Sequence, residues 1–159
     1  MELESSIKNS NDFYNSMEVC FITKKPTPIH IVKVKNGLIS EAYFEEDSTL
    51  DYYGIYKGKY IEFDCKETNS STSFPIKNLA NHQLNQLKTI DKLGGIAFLI
   101  IEFIYYSEYY ILTYSDIKKC LENSSSKSIK IDYFRKNCIK IRQGYYPRLY
   151  YLEAIDKLL

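Results

Sequence analysis

An α/β fold, a central β-sheet flanked by helices, is predicted from three observations. Apolar residues recur at helical spacing in two stretches: Leu3, Ile7, Tyr14 and Met17, with Ser10 in the remaining slot, and Ala80, Leu84, Leu87 and Ile90. Short β-branched and aromatic segments, parted by turn dipeptides, fill the sequence between them. Residues 96–103 form a nearly continuous apolar run, suited to a strand buried on both faces at the sheet centre. A chain of 159 residues without internal repeats is expected to form one domain, 1–159.

Taken in order, the first helix covers residues 3–17. Glu4 lies beside its buried stripe, and two readings stand: a carboxylate reaching a site on the neighbouring sheet, or an acid favoured at a helix start by the dipole. Residues 19–23 read as a strand. Pro26 and Pro28 then force extended or turning backbone, because each biases its predecessor away from helix. Residues 29–34 and 38–44 flank Asn36-Gly37, the strongest short hairpin signal. Lys33 and Lys35 lie near the tip of this projecting hairpin, as a DNA probe or as lysines that discourage edge aggregation.

Residues 48–68 contain a second hairpin, turning at Lys57-Gly58. Pairing Tyr56 with Lys59 brings Asp51 opposite Asp64 and Thr49 opposite Lys66. Opposed residues share a face and side chains alternate along a strand, so Thr49, Asp51, Glu62, Asp64 and Lys66 occupy one surface while Ile61, Phe63 and Cys65 form an apolar back. Two carboxylates held side by side repel, and a divalent cation between them removes the penalty. Oxygen ligands of this kind suit magnesium or manganese, and a lysine two residues beyond can stabilise developing negative charge. An isolated Asp-x-Lys is also compatible with a solvated strand face carrying an ion pair.

Beyond a polar loop at 69–73, Pro75 precedes a helix over 78–93 that Gly94-Gly95 closes. Gln83 falls on its inner side, where its amide needs a partner: a metal, its water, a DNA phosphate or a backbone carbonyl. Residues 109–113 are a further strand, 115–121 a short helix, 124–126 a serine loop and 150–158 a terminal helix.

Composition narrows the chemistry. The run at 96–103 is interrupted by Glu102 and too short to span a bilayer, no N-terminal charged-then-apolar signal is present, and a cytoplasmic location is expected. Cys20, Cys65, Cys120 and Cys138 are widely spaced, which argues against zinc and a disulfide framework. Only His30 and His82 are available, so histidine-based hydrolase sites lack material. The net charge of +1 does not advertise nucleic-acid binding, but it is unevenly distributed. Residues 118–148 hold Lys118, Lys119, Lys127, Lys130, Arg135, Lys136, Lys140, Arg142 and Arg148 against Glu122 and Asp132. Such a region tracks phosphates or forms a solvated face.

Ordered blocks along nearly the whole chain resemble the RecU family of Holliday junction resolvases. They include Lys24-Lys25-Pro26-Thr27-Pro28, Ala42-Tyr43-Phe44, Thr49-x-Asp51-Tyr52, Gly54-x-Tyr56-Lys57-Gly58, Lys66-Glu67-Thr68, Ser73-Phe74-Pro75, Gly94-Gly95 and Gly144-Tyr145-x-Pro147-Arg148. The resemblance implies a homodimeric endonuclease with a restriction-endonuclease-like core, a central mixed sheet and a stalk hairpin at about 29–44. It would cut four-way DNA symmetrically with magnesium or manganese, in recombination and repair. Metal positions match Thr49, Asp51, Asp64 and Gln83, and the charge-stabilising lysine matches Lys66; Glu4 and Glu62 are further acids. Lys33, Lys35, Arg142 and Arg148 are expected to touch DNA, and no recombinase partner is identified. Three departures stand out: Asp64 where most relatives have glutamate, a stalk shorter than is common, and a start at the Leu3-Glu4 helix where relatives usually carry a basic extension. The competing expectations are a non-catalytic junction-binding factor and a same-fold nuclease with another DNA substrate.

Overall fold

Two tight turns with the same backbone signature set the hairpins. Asn36 and Gly37 have φ of 53° and 74°, and Lys57 and Gly58 have φ of 51° and 73°, the consecutive positive values that two-residue hairpin loops require. The computed structural model describes residues 2–45 and 49–159, so Ser48, which opens the predicted central hairpin stretch, lies outside the described residues.

The elements are α1 (Glu2–Ser16), β1 (Cys20–Lys24), β2 (Ile29–Lys35), β3 (Leu38–Phe44), β4 (Tyr52–Tyr56), β5 (Lys59–Thr68), β6 (Ser73–Pro75), α2 (Asn81–Lys92), β7 (Ile96–Phe103), β8 (Glu108–Thr113), α3 (Tyr114–Asn123), β9 (Ser128–Lys130), α4 (Ile131–Asn137), β10 (Ile139–Lys140) and α5 (Tyr151–Asp156). Six strands form one sheet in the order β1-β4-β5-β7-β8-β10. Only β5 and β7 run parallel, so the sheet is mixed. A parallel neighbour needs a long crossover, and the segment carrying α2 provides it.

The sheet buries both faces. On one, Ile61, Phe63, Phe98 and Ile100 pack with Leu3 and Ile7 of α1 and Tyr151 of α5. The rings of Tyr52, Phe63 and Phe98 stack there at centroid distances of 4.9 and 4.8 Å. On the other, Leu99 and Ile101 meet Leu87 and Ile90 of α2 and Phe134 of α4. All eight residues of β7 are buried, as its nearly continuous apolar run predicts. Ser10 is buried because its hydroxyl donates to the Ser6 carbonyl and accepts the Leu149 amide. That exchange ties α1 to the approach to α5. No helix among the described residues is long and apolar enough to cross a membrane.

Several boundaries differ from expectation. The chain makes a 3-10 turn at Ile76–Asn78 before α2 starts at Asn81. Leu79, not Ala80, therefore enters the core, and Ala80 is exposed. The terminal helix is shorter than 150–158, and α4 and the small β6–β9 sheet have no counterpart in the sequence-based expectation. A three-residue strand carries little periodicity of its own; Ser73 pairs with Lys130 from a distant part of the chain.

The β2–β3 pair forms its own two-stranded sheet, and every one of its residues is exposed. Strand β1 leaves one edge of the large sheet open. Phe21 of β1, Ile55 of β4 and Tyr60 of β5 are neighbours by register, and all three are exposed.

Candidate active site

The ladder between β4 and β5 pairs Tyr56 with Lys59 and ends with Tyr52 opposite Phe63. This is the register expected from the turn at Lys57-Gly58, and it places Glu62, Asp64 and Lys66 on the face opposite Ile61 and Phe63. Glu62 and Asp64 are almost fully buried, at 0% and 3% exposure. Asp64 Oδ2 lies 2.8 Å from the Gln83 side-chain nitrogen and 3.1 Å from Lys66 Nζ. Its other oxygen accepts the Cys65 backbone N–H at 2.7 Å. Gln83 points inward from α2, as its helical position requires, and of the partners its amide could take it has found a carboxylate.

Asp51 does not continue the ladder. It occupies a bend just before β4, and its carbonyl accepts the Lys25 amide at 2.7 Å. Leu50 is fully buried on the α2 side of the sheet, where strict alternation from Tyr52 would have turned it to the other face. The expected direct opposition of Asp51 to Asp64, and of Thr49 to Lys66, is thereby corrected: the chain turns to plug Leu50 into the core. Asp51 still feels Asp64. Burial first, and then the neighbouring Asp64 charge, push the Asp51 carboxyl above the usual range, opposed by Lys24 and Lys66. Thr49 is exposed and its hydroxyl accepts Lys25 Nζ at 2.9 Å, not Lys66.

The other predicted residues fall in different places. Glu62 is on the predicted face but is enclosed by Lys25, Tyr60 and Gln86. Glu4 is half-buried and pairs with Lys24 at 3.2 Å, near enough to Asp51 to raise its pKa. Lys33 and Lys35 are exposed on the β2–β3 hairpin, remote in sequence from the carboxylates. Arg142 forms an ion pair with Glu153 at 2.9 Å and lies over the Tyr150 ring at 3.6 Å, and Arg148 is exposed. Lys24 and Lys25 stand out in the sequence only as part of a conspicuous block. Their signal is two basic residues ahead of Pro26, and nothing local says that they face the carboxylates.

Whether these groups suit a divalent cation follows from the donors. Among the described residues no three His, Cys, Asp or Glu side chains converge as a metal-binding group. Asp51 and Asp64 are close enough for their charges to interact, and a cation would offset the repulsion that adds to burial at Asp51. Magnesium is commonly held by one or two carboxylates, with water and substrate phosphate completing the shell, so the set fits. The amide of Gln83 presents nitrogen to Asp64, while its oxygen accepts the Ala80 N–H at 3.4 Å. A half-turn of that amide exchanges the two atoms and offers oxygen.

Comparison with known proteins bears on this geometry. A model of the family described as recombination protein U matches residues 1–157. Proteins named Holliday junction resolvase RecU from Staphylococcus aureus strains JH9, COL and MRSA252 are each 44% identical over 167 aligned positions, spanning 100% of this chain and 80% of theirs.

The strain at Asp51 has a measurable sign. A carboxyl with a raised folded pKa holds its proton more tightly when folded, so its contribution to stability falls as pH rises through the ordinary carboxylate value towards the raised one. In chelated buffer at pH 7, Asp51→Asn should therefore raise the melting temperature. The gain should vanish by about pH 3, where Asp51 is protonated in both states. Calorimetry across that range checks it; a variant equally destabilised at every pH would show that the two carboxylates do not strain the fold.

Proposed function

The chain belongs to the recombination protein U (RecU) family of Holliday junction resolvases and acts on four-way DNA in homologous recombination; we propose that it does so as a divalent-cation-dependent endonuclease whose chemistry centres on Asp51, Asp64 and Lys66. The observation that carries this reading is the buried Asp64 carboxylate, flanked by Lys66 at 3.1 Å and close enough to Asp51 for the two charges to interact. We assign the six-stranded sheet to a restriction-endonuclease-like core and the β2–β3 hairpin to its stalk. The Asp64-x-Lys66 strand beside the Asp51 bend supports that assignment.

In this scheme Asp51 and Asp64 hold magnesium or manganese, with the Thr49 hydroxyl and the Gln83 amide oxygen as neutral donors. The cation would supply Lewis acidity, making water a better nucleophile and polarising the phosphoryl group. Lys66 keeps an ammonium beside Asp64, where it can donate to phosphoryl oxygens as charge builds on them. Asp64 is one methylene shorter than the glutamate of many relatives, and its deep burial with three donors holds the shorter arm in place.

Resolution needs two cuts at symmetry-related positions, which a two-fold dimer supplies with two identical sites. The exposed row of Phe21, Ile55 and Tyr60 beside the open β1 edge is a surface that a second copy would cover. Lys33, Lys35, Arg142 and Arg148 are assigned to phosphate contacts. Arg142 must exchange Glu153 for phosphate, at small cost because the ion pair is exposed. DNA substrate sets the compartment, and we place the enzyme in the cytoplasm.

The central test is cleavage of labelled four-way junctions beside linear duplex, with and without magnesium or manganese. Asp51→Asn and Asp64→Asn should abolish cutting while metal-free junction binding persists. Lys66→Ala should slow it by about 10²–10³-fold with metal binding nearly intact, and Asp64→Glu should remain active. Original cutting rates in both Asp51→Asn and Lys66→Ala at saturating magnesium would place the chemistry elsewhere.

A separate measurement addresses DNA binding. Replacing Lys33 and Lys35, or Arg142 and Arg148, with glutamine should weaken binding to every sequence alike. The slope of log affinity against log salt should flatten by about one for each phosphate that the variant no longer neutralises; an unchanged slope would return the residues to a solvated face.

A further inference from the structure

We propose that Lys25 is a positioning residue: it tethers residues 49–51 to the sheet, with Glu62 serving as its buried counter-charge and not as a metal ligand. The inference rests on the reading of Asp51 and Asp64 as the cation-holding pair. Hydrogen bonds from both the backbone and the side chain of Lys25 converge on the segment. Its backbone N–H donates to the Asp51 carbonyl at 2.7 Å. Its ammonium donates to the Thr49 hydroxyl at 2.9 Å and to Glu62 Oε1 at 2.5 Å.

Glu62 explains why the ammonium is fixed. Its side chain is 1% exposed, and a carboxylate so far from water needs both a counter-charge and donors for its remaining lone pairs. Lys25 supplies the charge. The Tyr60 hydroxyl donates to Oε2, and the Gln86 amide lies 3.3 and 3.4 Å from the two oxygens. These donors take up the oxygens that a metal would need.

The tether is needed because β4 begins only at Tyr52. The β4–β5 ladder stops short of Thr49 and Asp51, so beyond the Lys25 N–H bond to the Asp51 carbonyl the segment is anchored by one apolar side chain, buried Leu50. Lys25 grips it on both sides of that anchor. Pro26 and Pro28 follow directly, each with a fixed φ, so the grip comes from a stiffened loop. Lys25, Thr49 and Asp51 together border a cleft of about 650 Å³.

Lys25→Met alone strands Glu62 as an unpaired buried charge and would be expected to damage folding. The decisive variant is Lys25→Met with Glu62→Gln, which is neutral at the buried position. Its melting temperature should approach that of the parent. Hydrogen exchange at residues 49–51 of the metal-free protein should nevertheless quicken about tenfold or more, and manganese affinity, read by electron paramagnetic resonance, should fall about 10–100-fold, as when outer partners of metal ligands are removed. The cleavage rate should fall with junction affinity in chelator unchanged. If exchange at 49–51 matches the parent, the tether is wrong. Asp64→Asn, measured in parallel, tests the underlying site: parental manganese affinity in that variant would overturn the site reading, whatever the exchange data say of Lys25.

Discussion

Two carboxylates sit two residues apart on an interior strand, nearly sealed from water. Glu62 and Asp64 are 0% and 3% exposed, and an ionised group cannot stay so deep without opposite charge and hydrogen bonds. Much of the polar architecture answers that requirement. Lys25 and Lys66 provide the charge, and Tyr60, Gln83, Gln86 and the Cys65 amide provide the remaining donors. Helix α2 contributes both glutamines from positions three apart, which places them on one helical face.

The two acids resolve the constraint differently. Glu62 is enclosed and works as an internal anchor. Asp64 shares its surroundings with Asp51, whose carboxyl is held above the usual range first by burial and then by the Asp64 charge. In the proposed scheme a cation would relieve that repulsion, so its binding would be coupled to local stability without histidine or cysteine. The four cysteines are free and half-buried, and His30 stacks on Tyr43 in the exposed hairpin.

The sheet separates the demands of stability from those of chemistry. The face covered by α1 and α5 is apolar around the stacked Tyr52, Phe63 and Phe98 rings. The opposite face carries the acids where β5 meets α2, with apolar packing resuming around Leu99 and Ile101. The parallel β5–β7 pair makes this division, since its crossover is what lays α2 over Asp64.

Sequence by itself determined the features encoded by neighbours. The turn at Lys57-Gly58 set the β4–β5 register, alternation put Glu62, Asp64 and Lys66 on one face, the apolar run at 96–103 specified the buried β7, and helical period aimed Gln83 inward. Ordered motifs identified the family as well. Tertiary structure alone decided that Asp51 stands in a bend, because burying Leu50 on the α2 side outweighed continuing the strand. It alone joined Lys25 to Glu62, 37 residues apart, and put Leu79 rather than Ala80 in the core. It also paired Ser73 with Lys130. Periodicity and turn chemistry act over a few residues and can be read there, whereas the partner of a buried charge depends on which distant segment the packed core brings beside it.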